Sequence, residues 1–185
     1  MRAVLDDDPT RMVLILSMLW GVSNALNTAV LNSHGDLFTA PLIMALAGIF
    51  GPSAGITMLY LLGAYLAWVG RLLGGKGTAR ELRAAFAWSS IPNIVSLLLL
   101  FPALFLFGND LFTTDTPYIG AHPSLVFLLG TYIFVDVILS VWAVTMFVKC
   151  VAEAHRFSSW RALLTMFSWF VFLGAVILVG YLVSK

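Results

Sequence analysis

Residues 70–78 read GRLLGGKGT, one residue short of the phosphate-cradling pattern G-x-x-x-x-G-K-[ST]. Gly70, Gly75 and Lys76 are in register, but Gly77 stands where a hydroxyl should reach magnesium, and Thr78 arrives one position late. A second stretch, Gly51-Pro52-Ser53-Ala54-Gly55, matches the G-x-S-x-G elbow that exposes a hydrolase nucleophile. A third set, Cys150, Glu153 and His155, gathers metal-ligating residue types, and Asp136 stands alone as a charge inside a long apolar run. Each chemistry demands its own scaffold. A P-loop follows a buried strand, an elbow needs a strand-to-helix turn and a nearby base, and a metal needs ligands that converge.

The composition withholds the first two scaffolds. Of the 185 residues 61% are hydrophobic and 10% charged, with a mean hydropathy of +0.97, where soluble domains run to roughly 25% charged. The chain reads as an all-α, polytopic integral membrane protein. A net charge of +1 supplies no footprint for nucleic acid, and a single cysteine excludes an intrachain disulfide. The aspartate-rich start followed by a long apolar run reads as a retained span rather than a cleaved signal.

A bilayer core of about 30 Å needs around 20 residues of helix. Residues 12–32, 84–107, 124–148 and 162–184 meet that length. The uncharged stretch 37–70 is too long for one crossing, so a break is expected at Gly51-Pro52, with 38–50 interfacial or re-entrant and 53–70 crossing. That makes five transmembrane helices. All of the 10 Lys and Arg except Lys185 then fall on one side: Arg2 and Arg11, Arg71 to Arg83, and Lys149 to Arg161. The positive-inside rule makes this side cytoplasmic, with the N-terminus inside and the C-terminus outside.

In this frame Gly70–Thr78 is a turn between two membrane helices. Gly74 and Gly75 can end one helix in a left-handed cap. Thr78 and Glu81 then start the next as a capping box, with Lys76 and Gly77 between. The Gly51–Gly55 stretch reads as a hinge of small residues, since His34, His122 and His155 all fall in loops, away from any buried serine. Cys150, Glu153 and His155 diverge around a helix, so no metal and no cofactor is expected.

Asp136 needs a reason, because an ionised carboxylate at mid-span costs at least about 2.5–3.5 kcal/mol. Tyr132, Asp136 and Ser140 recur every fourth residue and share one helix face. Asn24 and Asn93 fall at comparable depth in other spans, and Asn27 could join them and Asp136 in walling a cavity. Without a cation in any span, Asp136 is expected to serve as a neutral hydrogen-bond donor or a proton carrier. The group reads either as a polar substrate, proton or cation site, or as interhelical hydrogen bonding worth about 1 kcal/mol per contact. Pro92 removes a backbone donor beside Ser89, Ser90 and Asn93, and a kink is expected there.

Several segments together resemble the Yip domain family of Ypt/Rab-interacting membrane proteins, and its bacterial branch in particular. They are Asp8 to Arg11, Gly51-Pro52 ahead of a span, Gly74 to Glu81, Ala87 to Pro92, and His155 to Leu163. The resemblance implies a five-span membrane protein whose eukaryotic relatives act in vesicle traffic and bind prenylated Rab GTPases. Those relatives place Asp-Leu before the Gly-Pro, where this chain has Gly48-Ile49. Their long N-terminal region corresponds here only to residues 1–11, so Rab binding is not carried over.

The expected function is a non-enzymatic membrane scaffold or adaptor in a bacterial inner membrane. Its basic turns would meet anionic lipid or a cytosolic protein, and homo-oligomers are allowed. The alternative is a small transporter or channel that uses Asp136 with Asn24 and Asn93.

Overall fold

The computed structural model describes residues 12–183, so Arg2, Asp8 to Arg11 and Lys185 lie outside the described residues. Six main helices follow one another: α1 Val13–Leu31, α2 Ala40–Leu72, α3 Ala79–Ser89, α4 Ile91–Phe107, α5 Pro123–His155 and α6 Ser159–Val183. Among the described residues there is no strand. Four stretches there are long and apolar enough to cross a membrane: Val13–Leu31, Ala40–Leu72, Ala79–Phe112 and Pro123–His155.

The helix α2 corrects one expectation, because it runs through Gly51 and Pro52 without a break. Pro52 forfeits one backbone bond, to the carbonyl of Gly48, but backbone contacts on both sides hold the helix in line. A methyl group on Gly21 of α1 would overlap the Gly51 carbonyl, and one on Gly55 would overlap that of Ser17. Three glycines thus let α1 and α2 touch backbone to backbone, the close approach by which helices associate where hydrophobic burial supplies little drive. This contact fixes α2 immediately before and after its proline.

The third apolar stretch is interrupted instead. Helices α3 and α4 meet at Ser90, whose hydroxyl donates to the Ala87 carbonyl at 2.6 Å. Pro92 cannot donate to Trp88, and its ring disfavours helical backbone at Ile91. Ser89 likewise donates to Phe86 O, at 2.8 Å, so hydroxyls satisfy carbonyls around the interruption.

Two apolar cores occupy the ends of the bundle. One joins Leu59, Leu66, Leu82, Phe86 and Val151, and the other joins Leu26, Ile43, Leu100, Phe107 and Phe112. The second lies under the loops that carry Asp36, Asp110 and Asp115, here termed the acidic end. Those loops interlock. The Ala40 amide donates to Asn109 Oδ1 at 2.9 Å, which caps α2 from a distant loop. Asp36 accepts from the hydroxyl and amide of Thr114 at 2.7 and 3.0 Å, and Asp110 accepts from the amides of Tyr118 and Ile119.

Candidate functional site at the basic end

The opposite end carries Arg71, Lys76, Arg80, Arg83, Lys149, Arg156 and Arg161, and it is built around a histidine. Helix α2 closes with a Schellman motif: Gly74 is left-handed at φ 82°, Gly75 N–H donates to Gly70 O at 2.8 Å, and Gly74 N–H donates to Arg71 O at 3.0 Å. Helix α5 closes the same way, with Phe157 N–H on Ala152 O and Arg156 left-handed at φ 58°. Helix α3 opens with a capping box, in which Thr78 N–H donates to Glu81 Oε2 at 2.7 Å and Glu81 N–H donates to Thr78 Oγ1 at 3.3 Å.

These two turns are joined through His155, the last residue of α5 and only 1% exposed. Its Nδ1 accepts from the Gly77 amide at 3.2 Å, and its Nε2 lies 3.1 Å from the Leu66 carbonyl. A carbonyl can only accept, so the proton belongs on Nε2 and the ring is the neutral tautomer. The Lys76 amide donates to the His155 carbonyl at 3.1 Å, and Phe157 stacks on the ring with centroids 4.9 Å apart. Glycines make the room. A methyl group on Gly70 or Gly75 would enter the imidazole, and one on Gly77 would lie 2.9 Å from Nδ1.

The three glycines of the nucleotide-like motif therefore cradle an imidazole rather than a phosphate. Sequence reasoning placed His155 in a loop, and the structure corrects this: the residue ends a helix and is buried. The signal was the spacing of Gly70, Gly75 and Gly77, but the partner ring lies far along the chain. His155 also offers a metal no free nitrogen, and Cys150 is buried in the apolar core. Among the described residues no cluster of His, Cys, Asp and Glu is placed to hold a metal ion.

Above this joint Arg83 lies across α2. Its guanidinium sits 4.6 Å from the Tyr60 ring centroid, its Nε donates to Ala79 O, and its stem passes over Gly63. Lys76, Arg80, Lys149, Arg156 and Arg161 are exposed.

The mid-depth polar residues divide into separate groups. The Ser96 hydroxyl donates to Asp136 Oδ1, which ties α4 to α5. The Ser23 hydroxyl donates to the Asn93 carbonyl at 2.7 Å, which ties α1 to α4. Asn24 lies elsewhere, in an open cleft of about 580 Å³ between α1 and α2 with Thr28 and His34. Asn27 and Ser140 are exposed, and Tyr132 is half-buried against the acidic-end core. The cavity expected among Asn24, Asn27, Asn93 and Asp136 is thus not assembled: Asn24 opens onto the cleft beside α2 and Asn27 is exposed, while Ser23 is the α1 residue that meets α4. Ser96 is the partner that sequence reasoning missed. It stands one turn beyond Asn93, and only the register of α4 against α5 reveals the pairing.

The fold and its basic joint define a multi-pass, all-helical membrane protein. The chain belongs to the Yip1 domain family, whose family model matches residues 2–181. No curated protein and no solved structure matches the chain.

Proposed function

We propose that this protein is a non-enzymatic membrane scaffold with five crossings, its N-terminus cytoplasmic and its C-terminus outside. Its basic end is a rigid cytoplasmic surface that gathers anionic lipid headgroups. The supporting observation is the His155 joint, which locks the loop bearing Lys76 to the turn bearing Arg156 through Gly77 N–H, Lys76 N–H and the imidazole. Two short turns so joined hold exposed cations at fixed spacing, and each cation near an anionic surface contributes about 1 kcal/mol. Positive-inside topology explains basic residues in these turns but not a cradle that immobilises them. A bacterial inner membrane, rich in anionic lipid, suits the reading.

The test is lipid exchange. The protein is placed in nanodiscs of equal phosphatidylglycerol and phosphatidylcholine, and co-retained lipid is measured by native mass spectrometry. Phosphatidylglycerol is expected to be enriched at least twofold. The enrichment should fall in the variant Lys76→Gln/Lys149→Gln/Arg156→Gln/Arg161→Gln and shrink with added salt. Equal enrichment in that variant would refute the reading.

A further inference from the structure

The seam between α4 and α5 carries the Ser96–Asp136 hydrogen bond at mid-depth, and two cavities lie further along it, lined by other residues of these helices and their neighbours. Towards the basic end a space of about 190 Å³ is walled by Trp20, Phe86 and Phe147, with Asn93 at its edge. Towards the acidic end a second space, about 220 Å³, lies between Pro102 and Leu106 of α4 and Leu128 and Tyr132 of α5. Asp136 is half-buried, and only its Oδ1 is bonded among the described residues.

We propose that this seam binds a small lipophilic monocation, an alkyl- or arylammonium whose nitrogen pairs with Asp136 and whose apolar body fills the acidic-end cavity. The spans carry no Lys, Arg or His near this carboxyl, so its charge is met either by a proton or by a cation from outside the chain, and an ammonium arriving from the lipid supplies the second. An inorganic cation such as calcium asks for six to eight oxygens, while the seam offers a carboxylate, the Ser96 hydroxyl and little else. An anion meets the carboxylate's charge, and a neutral polar solute gains only Asn93. An ammonium carrying an apolar group satisfies both parts, with a charged hydrogen bond to the unbonded Oδ2 and a greasy cavity that begins one helical turn away, at Leu99 and Tyr132. At about 30 Å³ per water, the cavity has the space of roughly seven waters, which suits a ring on a short chain. Because the seam is open along its side, such a molecule can enter from the lipid.

The experiment is equilibrium dialysis of radiolabelled 2-phenylethylammonium against the full chain in nanodiscs, with empty nanodiscs subtracted. Saturable binding is expected, with affinity lowered at least tenfold by Asp136→Asn and similarly by Leu106→Trp, which fills the cavity. Asn24→Ala, in the separate cleft, should bind as the wild type does. Neutral 2-phenylethanol, of similar shape, should fail to compete. Absence of saturable binding, or equal competition by the alcohol, would overturn the proposal, and neither reading depends on a variant that folds. Unchanged affinity in Asp136→Asn or Leu106→Trp would overturn it as well.

Discussion

Replacing Gly70 with alanine tests the joint at the basic end most sharply. The new methyl group would fall within the His155 ring, against Cε1 and Nε2. The ring has no easy retreat. Gly77 N–H holds one nitrogen, the Leu66 carbonyl holds the other, and Phe157 covers the face. Forcing a methyl group into a filled site costs about 1–3 kcal/mol, and displacing the ring forfeits two hydrogen bonds at about 0.5–1.5 kcal/mol each. Alanine returns about 0.5–1 kcal/mol through helix propensity. A net loss of about 1–5 kcal/mol is expected from these terms, read by reversible detergent titration of the purified protein. The decisive comparison is the double-mutant cycle. With His155→Ala the obstacle is gone, so Gly70→Ala added to that background should cost nothing or stabilise by up to about 1 kcal/mol. If Gly70→Ala costs as much without the imidazole as with it, the cradle is not what the glycine provides.

The α1–α2 crossing makes a parallel prediction. Gly21→Ala and Gly55→Ala drive a methyl group into a backbone carbonyl, which cannot rotate away, so each should cost more than about 3 kcal/mol or prevent folding. Gly48→Ala, on the same helix with nothing within 4 Å, should be neutral or mildly stabilising, and an equal loss there would show that the crossing is not the cause. At the acidic end, the hydroxyl and then the amide of Thr114 hold the Asp36 carboxyl below its ordinary pKa. A depressed folded pKa stabilises above the unfolded value, near pH 4, and the benefit is lost as pH falls through the folded value. The Thr114 amide resonance should therefore stay fixed from pH 8 to 5 and move only below about pH 4. A midpoint above that would contradict the assignment.

What the sequence made legible follows from the range of each cause. Helix existence rests on local apolar length, and the start of α3 rests on Thr78 and Glu81, three residues apart, so both could be read directly. The cradle could not, because Gly70 and His155 meet only through the docking of α5 on α2. Their glycines looked like punctuation, which they also are. Asn24 and Asn93 have comparable depth, yet depth does not fix which way a residue faces in a chain apolar on every side. Ser96 and Asp136 fail for the same reason in reverse, since a serine in a span carries no mark of the carboxyl it will meet.

Gly51-Pro52 shows the limit in one residue pair. A proline inside an apolar run either ends a helix or is carried through it, and the local cost, about 3 kcal/mol in a water-exposed helix, does not choose between them. The choice is made by Gly21, which brings α1 against the backbone at Gly51 and thereby sets that pair beside the middle of α1 rather than at a surface. The consequence is measurable at Ile49. With Cys150→Ser as background, Ile49→Cys on a continuous crossing helix lies in hydrocarbon and should resist an impermeant maleimide from either side. It should do so equally with Pro52 or with Pro52→Ala, since the helix is already continuous. An interfacial segment ending at Gly51 would leave the same cysteine near water and reactive, and Pro52→Ala would then suppress the reaction by extending the helix. Labelling that depends on the proline would therefore restore the broken helix, whereas protection in both proteins would leave the glycine contact as the reason it does not break.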